Sequence, residues 1–197
     1  MKKKVIGIDF DDVLMDFVPG FLSFVSKKIG KTFIKEDIKN FFFWGTLGLS
    51  KEEAVALCEE YYQTDAHLNS LPVKRSKEAL EKLANFSLHV VTARPTFTED
   101  VTRRWTKHHF KDSIEQFHFT NGFKNNQAVS KGALAKELGV SYFVDDAPHN
   151  AFDVASEGIP VFLLDAPWNQ DTGYHPCITR VYNWDEIIEH IVIREVI

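Results

Sequence analysis

Five short apolar runs rich in β-prone residues, at residues 4 to 9, 87 to 92, 115 to 119, 141 to 145 and 159 to 164, alternate for the most part with helical patterns. A strand that returns through a helix lies parallel to its predecessor, so the alternation predicts an α/β fold around a parallel sheet. Helix starts are marked by Ser76 before Lys77-Glu78-Ala79-Leu80, by Thr96 with Glu99 three residues later, and by Ser130 before Lys131-Gly132-Ala133-Leu134. Gly139 and Gly158 fall where helices should stop before strands.

One interval breaks this rhythm, since about 75 residues separate Asp11 from Ser87, far more than an ordinary connection. Within it, Phe17 to Ile29 carries apolar residues at helical spacing. Ser50-Lys51-Glu52-Glu53 reads as a capping box opening a helix through Tyr62. Between them, Phe41-Phe42-Phe43-Trp44-Gly45 is a dense aromatic patch in a turn-like stretch. The reading is a helical cap at residues 15–73, inserted into a core made of residues 1–14 and 74–197.

The first run, Val5-Ile6-Gly7-Ile8-Asp9-Phe10-Asp11-Asp12, ends in three carboxylates. Ligands of open α/β sheets bind beyond the carboxyl ends of the strands, so acids at this point are placed for chemistry. Strand-end carboxylates flanked by Ile8 and Phe10 incur a desolvation cost that a cation would relieve. The formal net charge of -5 argues against a nucleic-acid polymer as partner, because such binding rests on Lys and Arg. After Met1-Lys2-Lys3-Lys4 only four apolar residues precede the acids, too few for a signal-peptide core, and no stretch reaches the length of a membrane span. Cys58 and Cys177 have neither zinc-site nor disulfide-framework spacing. A cytoplasmic location is therefore expected.

Four features fall at strand ends or helix starts: Asp9-Phe10-Asp11-Asp12-Val13, Val90-Val91-Thr92, Lys131, and Tyr142-Phe143-Val144-Asp145-Asp146. Their order and spacing resemble the four motifs of the haloacid dehalogenase-like (HAD) phosphohydrolases along the whole chain. Asp12 departs from the pattern, standing where many members have Gly. The resemblance implies a Rossmannoid three-layer sandwich with a parallel sheet of five strands in the order 5-4-1-2-3. It makes Asp9 the nucleophile and Asp11 the general acid and then base, with Asp9, Asp145 and Asp146 expected to hold the proton on Asp11 by like-charge repulsion. It also implies Mg2+ held by Asp9, the backbone carbonyl of Asp11, and Asp145, with Asp146 close by. Lys131, the Thr92 hydroxyl and the amides after Asp9 and Thr92, including that of Ala93, would bind the phosphate, with Ser130 aiming a helix N-terminus at it. Arg94 is open between an approach to the phosphate and a brace on Asp146.

A cap at this position closes over the site in the superfamily and selects small substrates. Phe17, Phe41, Phe42, Phe43 and Trp44 lie on it, and aromatic faces stack on nucleobases, so a 5'-(deoxy)nucleoside monophosphate is the expected guest. Trp44 is the best single candidate for that contact, with Phe17 and Phe43 beside it. The segments Thr92-Ala93-Arg94, Leu164 to Asn169 and Arg180 to Ile187, the last read as opening the final helix, resemble the 5'(3')-deoxyribonucleotidases and their bacterial and phage relatives. A sugar phosphate or another small metabolite is the alternative guest. A non-hydrolytic phosphoacceptor resembling a receiver module is a third reading, opposed by the large cap after the first strand. A homodimer is compatible with all of these.

Overall fold

Strand β1 (Val5–Ile8) is buried along its whole length, as its unbroken apolar run requires of a central parallel strand. The computed structural model describes residues 3–122 and 129–196, which leaves Met1 and Lys2 of the basic start outside it. The other strands are β2 (Ser87–Thr92), β3 (Gln116–Phe119), β4 (Val140–Asp145), β5 (Val161–Leu164) and β6 (Ile178–Val181). They form one sheet in the order β3-β2-β1-β4-β5-β6, with neighbouring strands parallel throughout. The first five match the expected order and lie within two residues of the predicted runs. The sixth strand is a correction: Arg180 and Val181 pair with Leu163 and Leu164 of β5 instead of opening the final helix. Ile178-Thr179-Arg180-Val181 is β-branched at three of four positions, which suits a half-buried edge strand more than a helix.

Helices α1 (Phe17–Ile29), α2 (Trp44–Leu47), α3 (Lys51–Tyr61) and α4 (Asp65–Leu68) lie between β1 and β2, followed by α5 (Ser76–Lys82). The rest are α6 (Glu99–Phe110), α7 (Lys131–Glu137), α8 (Pro148–Ser156) and α9 (Trp184–Val196). The aromatic patch is thus partly helical, since Trp44 opens α2. Among the described residues, no helix is long and apolar enough to cross a membrane. Ser50 and Ser130 cap α3 and α7 as expected, accepting from the amides of Glu53 and Ala133. Thr96 does not cap α6; it begins a 3-10 turn over Thr96–Thr98, because the Thr98 hydroxyl donates back to the Pro95 carbonyl. Ser76 likewise donates to the Val73 carbonyl, and the cap position belongs to Arg75 with a φ of 70°.

Side chains alternate across a strand, and here the two faces of the sheet carry two separate cores. Val5, Val91, Phe143 and Val161 pack under α7 and α8, whereas Ile6, Ile8, Val90, Val144 and Phe162 pack with Leu80, Trp105, Trp184 and Ile191. The second core continues without a break into the insertion, through Phe21, Val25 and Tyr61. That continuity seats the inserted helices above the carboxyl ends of β1, β2 and β4.

Candidate active site

Chain order reverses beside β1, which is bordered by β2 on one side and β4 on the other. Asp9 follows Val5 and Gly7 in the alternation and so points to the face covered by α7, where Lys131 is the first helical residue. The ammonium of Lys131 lies 2.8 Å from Asp9 Oδ1 and 2.9 Å from Asp145 Oδ2. All three side chains are buried. Gly132 makes the approach of α7 close: a Cβ there would lie 2.4 Å from the Asp153 carbonyl oxygen. Asp153 also accepts from the Ser130 hydroxyl and the Gly132 amide, which pins the start of α7 to α8.

Asp9, Asp145 and Asp146 bring oxygen atoms within 4.8 Å of one another. Burial pushes the Asp9 carboxyl up to about 7, against the opposing pull of Lys131 and with the help of Asp145. Asp146 is raised well above the usual carboxylate range, again by burial first and then by Asp145 and Asp9. Burial works against the charge of Lys131 as well, but Asp145 and Asp9 outweigh it and raise its pKa. With all three ionised, one ammonium among three buried carboxylates would leave net negative charge out of water, a load that protons relieve here and that a magnesium ion, suited to hard oxygen donors, would relieve in their place. Asp145 is further oriented by the Ala147 amide at 2.8 Å, and Asp146 by the Trp168 indole at 2.8 Å. Asn169 donates to the Asp146 carbonyl, so the segment Leu164 to Asn169 supports this acid directly.

Asp11 has a different surrounding from the one expected. Arg94 donates to both of its oxygens, from Nε at 2.9 Å and from Nη2 at 2.6 Å. Of the two roles left open for Arg94, the brace on Asp146 is replaced by one on Asp11, while the side chain lines the same cleft as Asp9 and Thr92. The cation beside Asp11 also opposes the like-charge repulsion expected from Asp9, Asp145 and Asp146. Arg94 is almost wholly buried, so it needs a carboxylate nearby, and among the described residues Asp11 is the one it pairs with.

Asp12 acquires a structural account. Its φ is 54°, a left-handed conformation that Gly adopts freely and that Asp tolerates better than most residues. Its carboxylate accepts from the Val18 amide at 3.3 Å and from Lys35 at 3.2 Å, tying the strand tip to the first turn of α1. Burial raises its pKa to about 7, with Lys35 opposing.

Thr92 closes β2, accepts from the Arg94 amide at 3.2 Å and lines the same cleft as Asp9 and Asp11, with Ala93 beside it. Phe17, Phe41, Phe42, Phe43 and Trp44 form the wall contributed by the insertion, in a cleft of about 1100 Å³ of empty space including its open mouth. Phe41 and Phe42 reach across to His149 of the core, with ring centroids at 4.7 and 5.3 Å. Phe17 and Phe43 also pack on Phe21, so these rings serve the interior of the insertion and the cleft together. Sequence reading missed Ala54, Val55, Cys58, Glu59 and Tyr62 as lining residues. Their spacing marks one face of α3 and its end, but nothing in that face says which cavity it meets. Burial pushes the Cys58 thiol there up to about 12.

The chain aligns along almost its whole length with solved hydrolases of one kind. A haloacid dehalogenase-like family hydrolase from Streptococcus pneumoniae gives a TM-score of 0.71 at 16% identity, covering 96% of this chain and 98% of the other. A HAD-hydrolase candidate of Bacillus subtilis, solved bound to magnesium, gives 0.62 at 13%, covering 98% and 100%. These likenesses establish the fold, that of the HAD-like hydrolases. Within that class, the chain belongs to the family of 5' nucleotidase, deoxy (Pyrimidine), cytosolic type C proteins (NT5C), whose family model matches residues 3–196. It is a phosphatase of the 5'-nucleotidase type. It is 25% identical over 187 residues to a candidate nucleotidase of Halalkalibacterium halodurans, spanning 94% of this chain and 91% of that one. A second candidate nucleotidase, of Bacillus subtilis, is 27% identical over 193 residues, with 93% and 91% spanned.

Proposed function

We propose that the chain hydrolyses nucleoside monophosphates with magnesium, through an aspartyl-phosphate formed on Asp9. The observation that carries this reading is the buried Asp9 carboxylate, opposed by Lys131 at 2.8 Å and open to a cleft with aromatic walls. Asp9, Asp145 and the backbone carbonyl of Asp11 would hold the ion, with Asp146 beside them. When bound, magnesium supplies positive charge that offsets the carboxylates and draws a phosphate dianion towards them.

An Asp9 oxygen attacks phosphorus and the bond from phosphorus to the ester oxygen breaks. Asp11 gives its proton to the departing alcohol oxygen. Protonated Asp11 keeps one of its two bonds to Arg94 and presents its O–H to that oxygen. In the second half, Asp11 takes a proton from water, whose oxygen attacks the phosphoryl group and releases inorganic phosphate and free Asp9. Lys131, the Thr92 hydroxyl and the Ala93 amide bind phosphate oxygens through both halves. The inserted helices act as the cap, and Phe17, Phe43 and Trp44 receive the base, a contact worth about 1 to 3 kcal/mol per stacked base.

Phosphate release from a panel of nucleoside monophosphates and sugar phosphates, with and without magnesium, tests the reading. Nucleotides are expected to give the highest kcat/KM, and only with the metal. A sugar phosphate preferred over every nucleotide overturns the substrate; full turnover by Asp9→Asn overturns the nucleophile.

A further inference from the structure

We infer that His67 is a positioning residue for Asp11, acting through Arg94. It lies on α4, within the insertion, and is fully buried. Its Nε2 is 3.0 Å from Arg94 Nη2. A guanidinium can only donate, so Nε2 must carry a lone pair and the ring must be neutral with its hydrogen on Nδ1. The surroundings favour that form, since burial and then the Arg94 charge hold the His67 pKa down at about 3.

The donors of Arg94 divide between two parts of the molecule. Nε and Nη2 hold Asp11, and Nη1 donates to Thr102 of the core at 2.9 Å. Nη2 also meets His67, and the guanidinium lies between the ring of Phe10, 4.3 Å away in the core, and that of Tyr62, 4.9 Å away at the end of α3. Both rings pack against the guanidinium. Acceptors at its edges fix its rotation, and the insertion supplies two at Nη2: the ring nitrogen of His67 at 3.0 Å and, as a weaker acceptor, the Met15 sulfur at 3.3 Å. Loss of His67 would let Nη2 turn and slacken the paired bonds that set the direction of the Asp11 carboxylate.

A second observation separates this role from mere filling of space. His67 Nδ1 is buried without a hydrogen-bond partner among the described residues. Phe17, Tyr61 and Tyr62 surround the ring, and a phenylalanine would pack there without leaving a polar atom unpaired. The acceptor nitrogen facing Arg94 is what a phenylalanine lacks.

The inference rests on the proposed acid/base role of Asp11, and its test uses esters that depend on that role unequally. For kcat/KM, which covers the steps through departure of the alcohol, an alkyl ester such as a nucleoside 5'-monophosphate needs a proton from Asp11. The anion leaving p-nitrophenyl phosphate is stable without one. General acid catalysis contributes about 10² to 10⁴-fold, so a slackened acid should cost about tenfold or more on the alkyl ester. His67→Phe is expected to show that loss with less than about threefold change on p-nitrophenyl phosphate. His67→Gln, whose amide oxygen can accept from Arg94, is expected to recover most of it. Thr102→Val, which removes the acceptor on the other side of the guanidinium, should reproduce the ester-selective loss even if His67→Phe fails to fold. Equal losses on both esters, or none on either, in variants with wild-type circular dichroism overturn the inference. If the wild type ignores nucleotides, the substrate reading fails and glycerol 2-phosphate serves as the alkyl ester. A wild type that cleaves neither ester removes both readings.

Discussion

The charge on Lys131 is shared between Asp9 at 2.8 Å and Asp145 at 2.9 Å, with all three groups out of water. Removing one partner of a buried ion pair leaves an uncompensated charge, at a cost of about 3 to 5 kcal/mol. Lys131→Met should therefore lower the unfolding free energy of the metal-free protein, read from urea denaturation, by that amount, and magnesium should recover part of the loss. His67 makes a second prediction at this scale, and its sign differs from that of the acids. Its pKa is about 3 in the fold, depressed by burial and Arg94, against 6.5 unperturbed. Between those values the unfolded chain binds a proton that the native chain does not, so acidification draws the protein towards unfolding. The contribution is fully present above pH 6.5 and is lost at up to about 1.4 kcal/mol per pH unit as pH falls towards 3. The raised carboxyls of Asp9 and Asp12 bind protons in the fold and act in the opposite sense. Comparing His67→Phe with wild type at each pH isolates the histidine: the variant's melting temperature is expected to fall less between pH 6.5 and pH 4.5, and parallel curves would refute the assignment.

Among the elements, α7 carries the site lysine only because its start can press against α8. Gly132 permits this, since an added Cβ would meet the Asp153 carbonyl oxygen at 2.4 Å, a backbone atom with little freedom to retreat. Gly132→Ala should displace α7, at a cost of about 1 to 3 kcal/mol, and should depress turnover by moving Lys131. Thermal denaturation and kcat together check this, and an alanine variant matching wild type in both would show that the helix can shift freely. The inserted elements behave alike: Phe41 and Phe42 meet His149 of α8, while Lys35 binds Asp12 and Asp16 and lies 5.3 Å from the ring of Trp168. Apart from the Lys35–Asp16 pair, which lies within the insertion, each contact joins the insertion to the rim of the cleft.

For the molecule as a whole, the proposed magnesium site at Asp9, Asp145 and Asp146 would couple stability to metal. A ligand that binds only the native state stabilises it by about 2.7 kcal/mol at a hundred times its dissociation constant. Magnesium should thus raise the melting temperature, a chelator should reverse the rise, and Asp145→Asn should abolish it; an equal rise in that variant would place the ion elsewhere. Much of this organisation was legible in the residues themselves. The first five strands, the helices opened by Ser50 and Ser130, and the strand-end acids follow from local pattern, because hydrophobic period and capping are properties of neighbours in the chain. Arg94 shows where local pattern stops. Its partners Asp11, His67 and Thr102 come from three segments, and the choice of Asp11 over Asp146 depends on which carboxylate the buried guanidinium can reach. The same holds for β6, whose four residues acquire strand geometry by pairing with β5. The sequence alone determined which residues are candidates for the proposed chemistry. Only the tertiary structure decided which of them face one another, because burial and ion pairing depend on distances between segments far apart in the chain.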